Sequence, residues 1–302
     1  MSVYLYLYSY IWGASRYDFR HYQSCGQWIT ITTMAPENLL FALFALVFGL
    51  VGGVVINWLA DALPTHQRLG IPKYSDGTPR SAVAWLGLGA CVSGRRISTS
   101  GVKLSWRHPV VELGLTVIFI YIALAYPVSV RSVVWLGNVA ILMLITVIDL
   151  EHRLILFVVV IPGWVYAFAG SVLTGQRPVQ DYLIGGALGF GLFFLMYLGG
   201  AVFSVIAARM RGEALDEVAF GYGDVLLATL AGLMIGWSAL IFAVFITVFA
   251  GAAGAIVYLA IKLIMRNKYE MFTALPYGQY IVIGTLIMLL WREPIFKFLQ
   301  GR

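Results

Sequence analysis

Charge is what this sequence has least of. Asp, Glu, Lys and Arg make up 11% of its 302 residues, against about 25% in a soluble globular domain. A chain so poor in charge cannot clothe a water-soluble fold of this size. Its apolar residues, 61% of the total, must be covered by something other than water. Cysteine is also scarce. Cys25 and Cys91 are far apart and read as unpaired, and two thiols exclude a four-thiolate zinc centre. Several catalytic signatures are missing. There is no H-E-x-x-H, no G-x-S-x-G, no Walker A loop, no G-x-G-x-x-G, and no Asp-Thr-Gly or Asp-Ser-Gly. Zincins, serine hydrolases with a nucleophile elbow, P-loop enzymes and soluble aspartic peptidases lose their usual marks with them.

What the sequence does have is long uncharged runs. Eight segments read as membrane spans: 39–60, 109–126, 133–148, 154–173, 182–208, 225–237, 239–261 and 277–291. Helices are required, because the bilayer core cannot solvate open strand edges. The expected fold is therefore all-α, a polytopic membrane bundle of about eight transmembrane helices. The sixth run spans roughly 20 Å at 1.5 Å per residue and needs shielding by its neighbours. Small residues at four-residue spacing, Gly49 with Gly53, Gly185 with Gly189 and Gly232 with Gly236, let membrane helices approach closely.

The net charge of +6 reads as orientation and contact with membrane lipid, not as nucleic-acid binding. With the first span entering from outside, the inner segments carry 13 Lys and Arg and the outer segments after that span carry 5. The expected location is the inner membrane, multi-pass, with both termini on the non-cytosolic side. Residues 1–33 are rich in tyrosine and lack a signal-peptide pattern. They are read as a non-native or disordered extension, with Met34 as the natural start and 34–302 as the membrane domain. The inner loop 61–108 is the one sizeable polar region of that domain.

Two acids sit at the ends of apolar runs. Asp149 closes the third span and Asp224 opens the sixth. Two crossings separate them, so both lie at one membrane face. Two carboxylates brought together out of bulk water share a proton. The ionised one then activates water while the protonated one polarises a carbonyl, which is aspartic peptidase chemistry. Gly221 and Gly223 flank Tyr222 just before the second acid, and bare α-carbons there admit an extended substrate backbone. Ionisable groups in membranes also serve as ion or proton carriers, so a transporter reading stays open. So does that of a catalytically lapsed partner in pilus or secretion assembly.

Gly221-Tyr-Gly-Asp224 resembles the G-x-G-D motif of intramembrane aspartic peptidases. Four further segments resemble the type IV prepilin peptidases in order. Gly52 to Pro64, with Asn57 at its centre, is similar to G-S-F-x-N-V-x-I-x-R-L-P. Arg107-His-Pro109-Val-Val-Glu112-Leu is similar to R-Y-P-x-V-E-L. Ile148-Asp149-Leu is similar to the first catalytic-acid segment. Pro276-Tyr-Gly278-Gln-Tyr is similar to P-F-G-P-Y. The resemblance covers about residues 40–285 and implies catalysis by Asp149 and Asp224. Asn57, Glu112, Gly221, Gly223, Pro276 and Gly278 are then substrate-binding or supporting residues. It implies leader cleavage of prepilin or pseudopilin-like proteins at the cytosolic face. Proteolysis needs no cofactor, and S-adenosylmethionine is the donor where the new terminus is methylated. Many relatives bind zinc through paired C-x-x-C motifs in the first loop. Here that loop holds Cys91 alone, so no zinc is expected. Leu226, Leu156 and Ala62 stand where the family usually has Lys, Pro and Arg. Glu112 is read as a partner for Arg107 or for a substrate terminus, and Glu151 as a loop residue near Asp149.

Overall fold

The computed structural model describes residues 36–65, 70–74, 76–211, 221–264 and 277–300. Residues 1–33, and with them the expectation of an extension, lie outside the described residues. Six helices are long and apolar enough to cross a membrane. They are α1 (Pro36–Ala62), α4 (Arg107–Ala125), α5 (Val130–His152), α6 (Phe157–Thr174), α7 (Val179–Arg211) and α9 (Trp237–Ile264). Two shorter apolar helices, α8 (Tyr222–Ile235) and α10 (Tyr277–Leu290), complete the expected eight. The chain is an all-α, multi-pass membrane protein.

Helix α8 is the axis of the bundle. Its 14 residues reach about 21 Å, short of a hydrocarbon core about 30 Å thick. It survives because α6, α7, α9 and α10 pack around it, leaving every residue from Val225 to Ala231 buried. Lipid tails are as apolar as leucine, so apolar burial alone does not drive helices together in a bilayer; close packing and hydrogen bonds do. Both are present. A Cβ on Gly185 would stand 2.8 Å from the Trp237 nitrogen, and one on Gly232 would meet the Gly185 carbonyl. The two glycine pairs on α7 and at the end of α8 thus face each other backbone to backbone. From α6, Trp164 Nε1 donates to the Leu226 carbonyl at 3.1 Å and Ser171 Oγ to that of Leu233 at 3.0 Å. The third pair does the same for α1 against α4: a Cβ on Gly49 or Gly53 would come within 2.6 Å of the Thr116 or Glu112 α-carbon.

Helix ends differ from the sequence reading in three places. Helix α5 does not stop at 148 but runs to His152, where Arg153 takes a left-handed conformation (φ 53°) and its N–H caps the Asp149 carbonyl at 2.8 Å. The sixth span begins at Tyr222 and ends at Ile235, because Gly236 at φ 76° turns the chain and Trp237 opens α9. The tail past the eighth span holds an exposed helix, α11 (Arg292–Leu299).

Loop 61–108 carries two short helices, α2 (Ala82–Trp85) and α3 (Gly87–Val92), over a small core of Tyr74, Ala84, Ala90 and Leu104. Its turn punctuation is real: Asp76 Oδ1 accepts from the Thr78 N–H at 2.9 Å, and Gly77 has φ 82°. Hydroxyls of Ser100, Ser98 and Thr78 hold the Asp76 carboxyl well below the usual carboxylate range.

Candidate active site

Asp149 lies in the last turn of α5 and Asp224 in the first turn of α8. Both helices bring their acid to the end of the bundle that also carries the start of α10. There Gly278, the second residue of α10, stands between the two. A Cβ built on Gly278 would lie 2.9 Å from Asp149 Oδ2 and 3.5 Å from Asp224 Oδ1. The two carboxylate oxygens are therefore no farther apart than those distances laid end to end.

The pair is sheltered and oriented. Asp149 is 8% exposed, and Gln279 Nε2 approaches its Oδ2 at 3.3 Å while also reaching the Thr146 carbonyl at 3.4 Å. Asp224 follows Gly221, whose carbonyl accepts the Asp224 N–H at 3.1 Å and starts the helix. Beyond Arg153 the chain turns so that Ile155 packs on Gly223, where an added Cβ would be 2.8 Å from the Ile155 Cβ. This corrects one expectation. The bare face of Gly223 is filled by Ile155 and is not open to a substrate. Gly221 differs: it is exposed, and a Cβ there would meet nothing nearer than Asp224 Oδ2 at 3.7 Å. Tyr222 between them is held by Phe157 at 6.1 Å and Tyr197 at 5.8 Å, ring centre to ring centre.

Of the residues singled out from the sequence, Asp149, Asp224, Gly221 and Gly278 come together. Asn57 and Glu112 do not join them. Asn57 Nδ2 donates to the His108 carbonyl at 3.1 Å, tying α1 to the start of α4. Glu112 is wholly buried, and its two oxygens accept the N–H groups of Gly87 and Leu88 at 2.7 and 2.9 Å. The sequence reading gave Glu112 either Arg107 or a substrate terminus as its partner; the structure gives it these main-chain N–H groups instead. Arg107 instead pairs with Asp61 at the end of α1 and with Glu151, which belongs to α5 and not to a loop. Arg80 joins the same Asp61 at 3.1 Å, and burial holds its guanidinium below the usual arginine range although Asp61 pulls the other way. Pro276 lies outside the described residues.

Two features of this end were missed in the sequence. Gln279 carries no charge to flag it, although it adjoins Gly278. The Asp61–Arg107–Glu151 bridge joins residues 46 and 44 positions apart, and no local pattern announces such a pairing.

Among the described residues no group of three His, Cys, Asp or Glu is placed to hold a metal ion. In loop 61–108, Arg80 and Arg107 meet at Asp61, and the hydroxyls of Thr78 and Ser98 meet at Asp76.

Comparison with known proteins agrees with this geometry. Residues 136–256 match the type IV leader peptidase family, a stretch that contains both acids. A prepilin leader peptidase/N-methyltransferase of Pseudomonas putida is 25% identical over 291 residues, 88% of this chain and 96% of the relative. The Myxococcus xanthus protein of that name is 29% identical over 230 residues, 72% of this chain and 62% of the relative. The Pseudomonas aeruginosa one is 24% identical over 297 residues, 87% and 95% of the two chains. No solved structure matches the chain. The matched segment holds both acids and the relatives align along most of the sequence, so the chain is similar to the type IV leader peptidases.

Proposed function

We propose that the protein is an intramembrane aspartic endopeptidase that removes the leader peptide from type IV prepilin-like or pseudopilin-like proteins, with Asp149 and Asp224 as its catalytic residues. The observation that carries this reading is the meeting of the two carboxylates across Gly278 at one end of the bundle. One is ionised and takes a proton from water; the other is protonated and donates a hydrogen bond to the scissile carbonyl. The water oxygen adds to the carbonyl carbon; the tetrahedral intermediate then collapses, its C–N bond breaking as the shared proton passes to the leaving amine nitrogen. Gln279 orients Asp149 from the neutral side. The open α-carbon of Gly221 leaves room for an extended peptide segment.

The dyad end is also the end that bears loop 61–108, and the excess of Lys and Arg on that side supports a cytosolic dyad in the inner membrane. Both termini then lie on the non-cytosolic side. The relatives named as N-methyltransferases extend the proposal to methylation of the new amino terminus, with S-adenosylmethionine as donor.

The test is co-expression with a prepilin-like substrate. The wild-type chain is expected to release the leader, and Asp149→Asn and Asp224→Asn to leave the precursor intact. Normal cleavage by a well-folded Asp224→Asn protein overturns the reading. Acid-dependent ion flux in liposomes without cleavage would mark a transporter instead.

A further inference from the structure

A cavity lies at the opposite end of the bundle. Helix α5 begins there, and Arg131 is 18 residues before Asp149 on the same helix, about 27 Å away along its axis. Helices α8 and α10 both start at the dyad and both stop after 14 residues. Their taller neighbours continue, and past the two short ends a cavity of about 580 Å³ opens under α11.

The cavity wall combines two chemistries. Three cations line it, Arg131, Arg292 and Lys297, against a single acid, Glu293. That acid is half exposed and stands 3.7 Å from Arg131. Aromatic rings line it as well: Tyr126 meets Trp135 edge to face at 4.9 Å, and Tyr121 meets Trp291 at 5.5 Å.

The framework is built before any ligand arrives. Tyr126 Oη donates to the Leu290 carbonyl at the end of α10, and Arg292 Nη1 donates to the Ile235 carbonyl at the end of α8, at 3.0 Å. One carbonyl at each of these two helix ends, whose partial negative charge would repel an anion, is thereby engaged. Arg131 lies over the Trp135 ring at 5.1 Å. Tyrosine and tryptophan beside Arg and Lys at the end of a membrane helix mark headgroup depth. Helix α11 leaves Phe298 and Leu299 exposed next to Lys297, as a helix lying in the membrane surface does.

We infer that this cavity binds the headgroup of an anionic glycerophospholipid, its phosphate met by Arg131 and Lys297 and its glycerol end seated among the aromatic rings. A net excess of positive charge selects an anion, and the position at the bilayer edge selects one carried on acyl chains over a free phosphate.

The full chain, purified in detergent, is titrated with short-chain phosphatidylglycerol, short-chain phosphatidylcholine and inorganic phosphate, and bound ligand is counted by native mass spectrometry. One phosphatidylglycerol is expected to bind at least about tenfold more tightly than phosphatidylcholine, a gap of about 1.4 kcal/mol. Arg131→Gln combined with Lys297→Gln is expected to abolish that preference. Should the pair fold poorly, Lys297→Glu alone on exposed α11 is expected to weaken phosphatidylglycerol without changing the lipid-free melting temperature. Equal binding of the two lipids, or an unchanged preference in a folded variant, overturns the inference. Inorganic phosphate binding as tightly as phosphatidylglycerol also overturns it, in favour of a free-anion site.

Discussion

Asp149 and Asp224 meet across the bare α-carbon of Gly278, which leaves no room for a methyl group between them. An alanine there would set its Cβ 2.9 Å from Asp149 Oδ2, closer than carbon and oxygen tolerate without a bond. The carboxylate, a mobile side-chain end, must swing away. Gly278→Ala is therefore expected to fold normally and to lose about 100-fold in kcat, the scale that a misplacement of about 1 Å costs. Gly221→Ala makes a useful contrast. Its backbone (φ −83°, ψ 145°) suits alanine and its Cβ would touch little, so the expected change is a higher KM with kcat largely kept. Leader cleavage against substrate concentration separates the two.

In the proposed mechanism the two acids act as a unit, and that has a measurable signature. Asn keeps the shape of Asp but can be neither base nor acid. Either single Asn variant is expected to lower cleavage by orders of magnitude, and the double variant to be no worse than the singles. Additive losses would show that the two carboxylates work independently. Cysteines placed at 149 and 224 are expected to crosslink through a short reagent.

Much of this arrangement can be read from hydropathy and parity. Counting crossings puts Asp149 and Asp224 at one face, and four-residue glycine spacing anticipates the α7–α8 contact. Hydropathy fails where a helix carries charge. It ends the third span before Asp149, yet α5 continues for another turn because Arg107 neutralises Glu151 from α4. It likewise treats α11 as a tail, since alternating charged and apolar residues average to nothing. The Glu112 pairing was beyond reach for another reason. Its partners are main-chain N–H groups 24 and 25 positions away, and every residue but proline offers one.

Packing between α7 and α8 gives a stability prediction. A Cβ on Gly232 would collide with the Gly185 carbonyl, and main chain cannot step aside as a side chain can. Gly232→Ala is expected to cost near the upper end of the roughly 1–3 kcal/mol typical of overpacking. Gly191→Ala, on the same α7 but with nothing within 4 Å, is expected to be silent. Thermal unfolding in detergent compares them.

Metal removal should leave proteolysis untouched. Cys91 is the free cysteine among the described residues, and a single thiolate is too few ligands for structural zinc. Chelators and Cys91→Ser are both expected to preserve cleavage. Stoichiometric zinc in the purified protein would contradict this.

Arg107 offers the last and most structural test. Its side chain is 12% exposed and bridges Asp61 at the end of α1 to Glu151, two residues past the dyad acid. Helix ends fray, and Asp149 sits in one, so a clamp on the final turn of α5 holds the dyad in register. Both carboxylate partners are more than a third exposed. Solvent screening therefore limits the pairs together to about 1–2 kcal/mol. Arg107→Gln is expected to lose that stability and to lower kcat with KM little changed, because the dyad loosens while the substrate path stays. Arg107→Lys is expected to recover part of the loss, limited by a single ammonium serving where a planar fork spans two acids. Exchanging the charges, Arg107→Glu with Glu151→Arg, is expected to restore the clamp to α5 but to set the introduced carboxylate against Asp61. Activity should then return further than stability does. Equal recovery of both, or none of either, would show that the bridge acts on the fold alone.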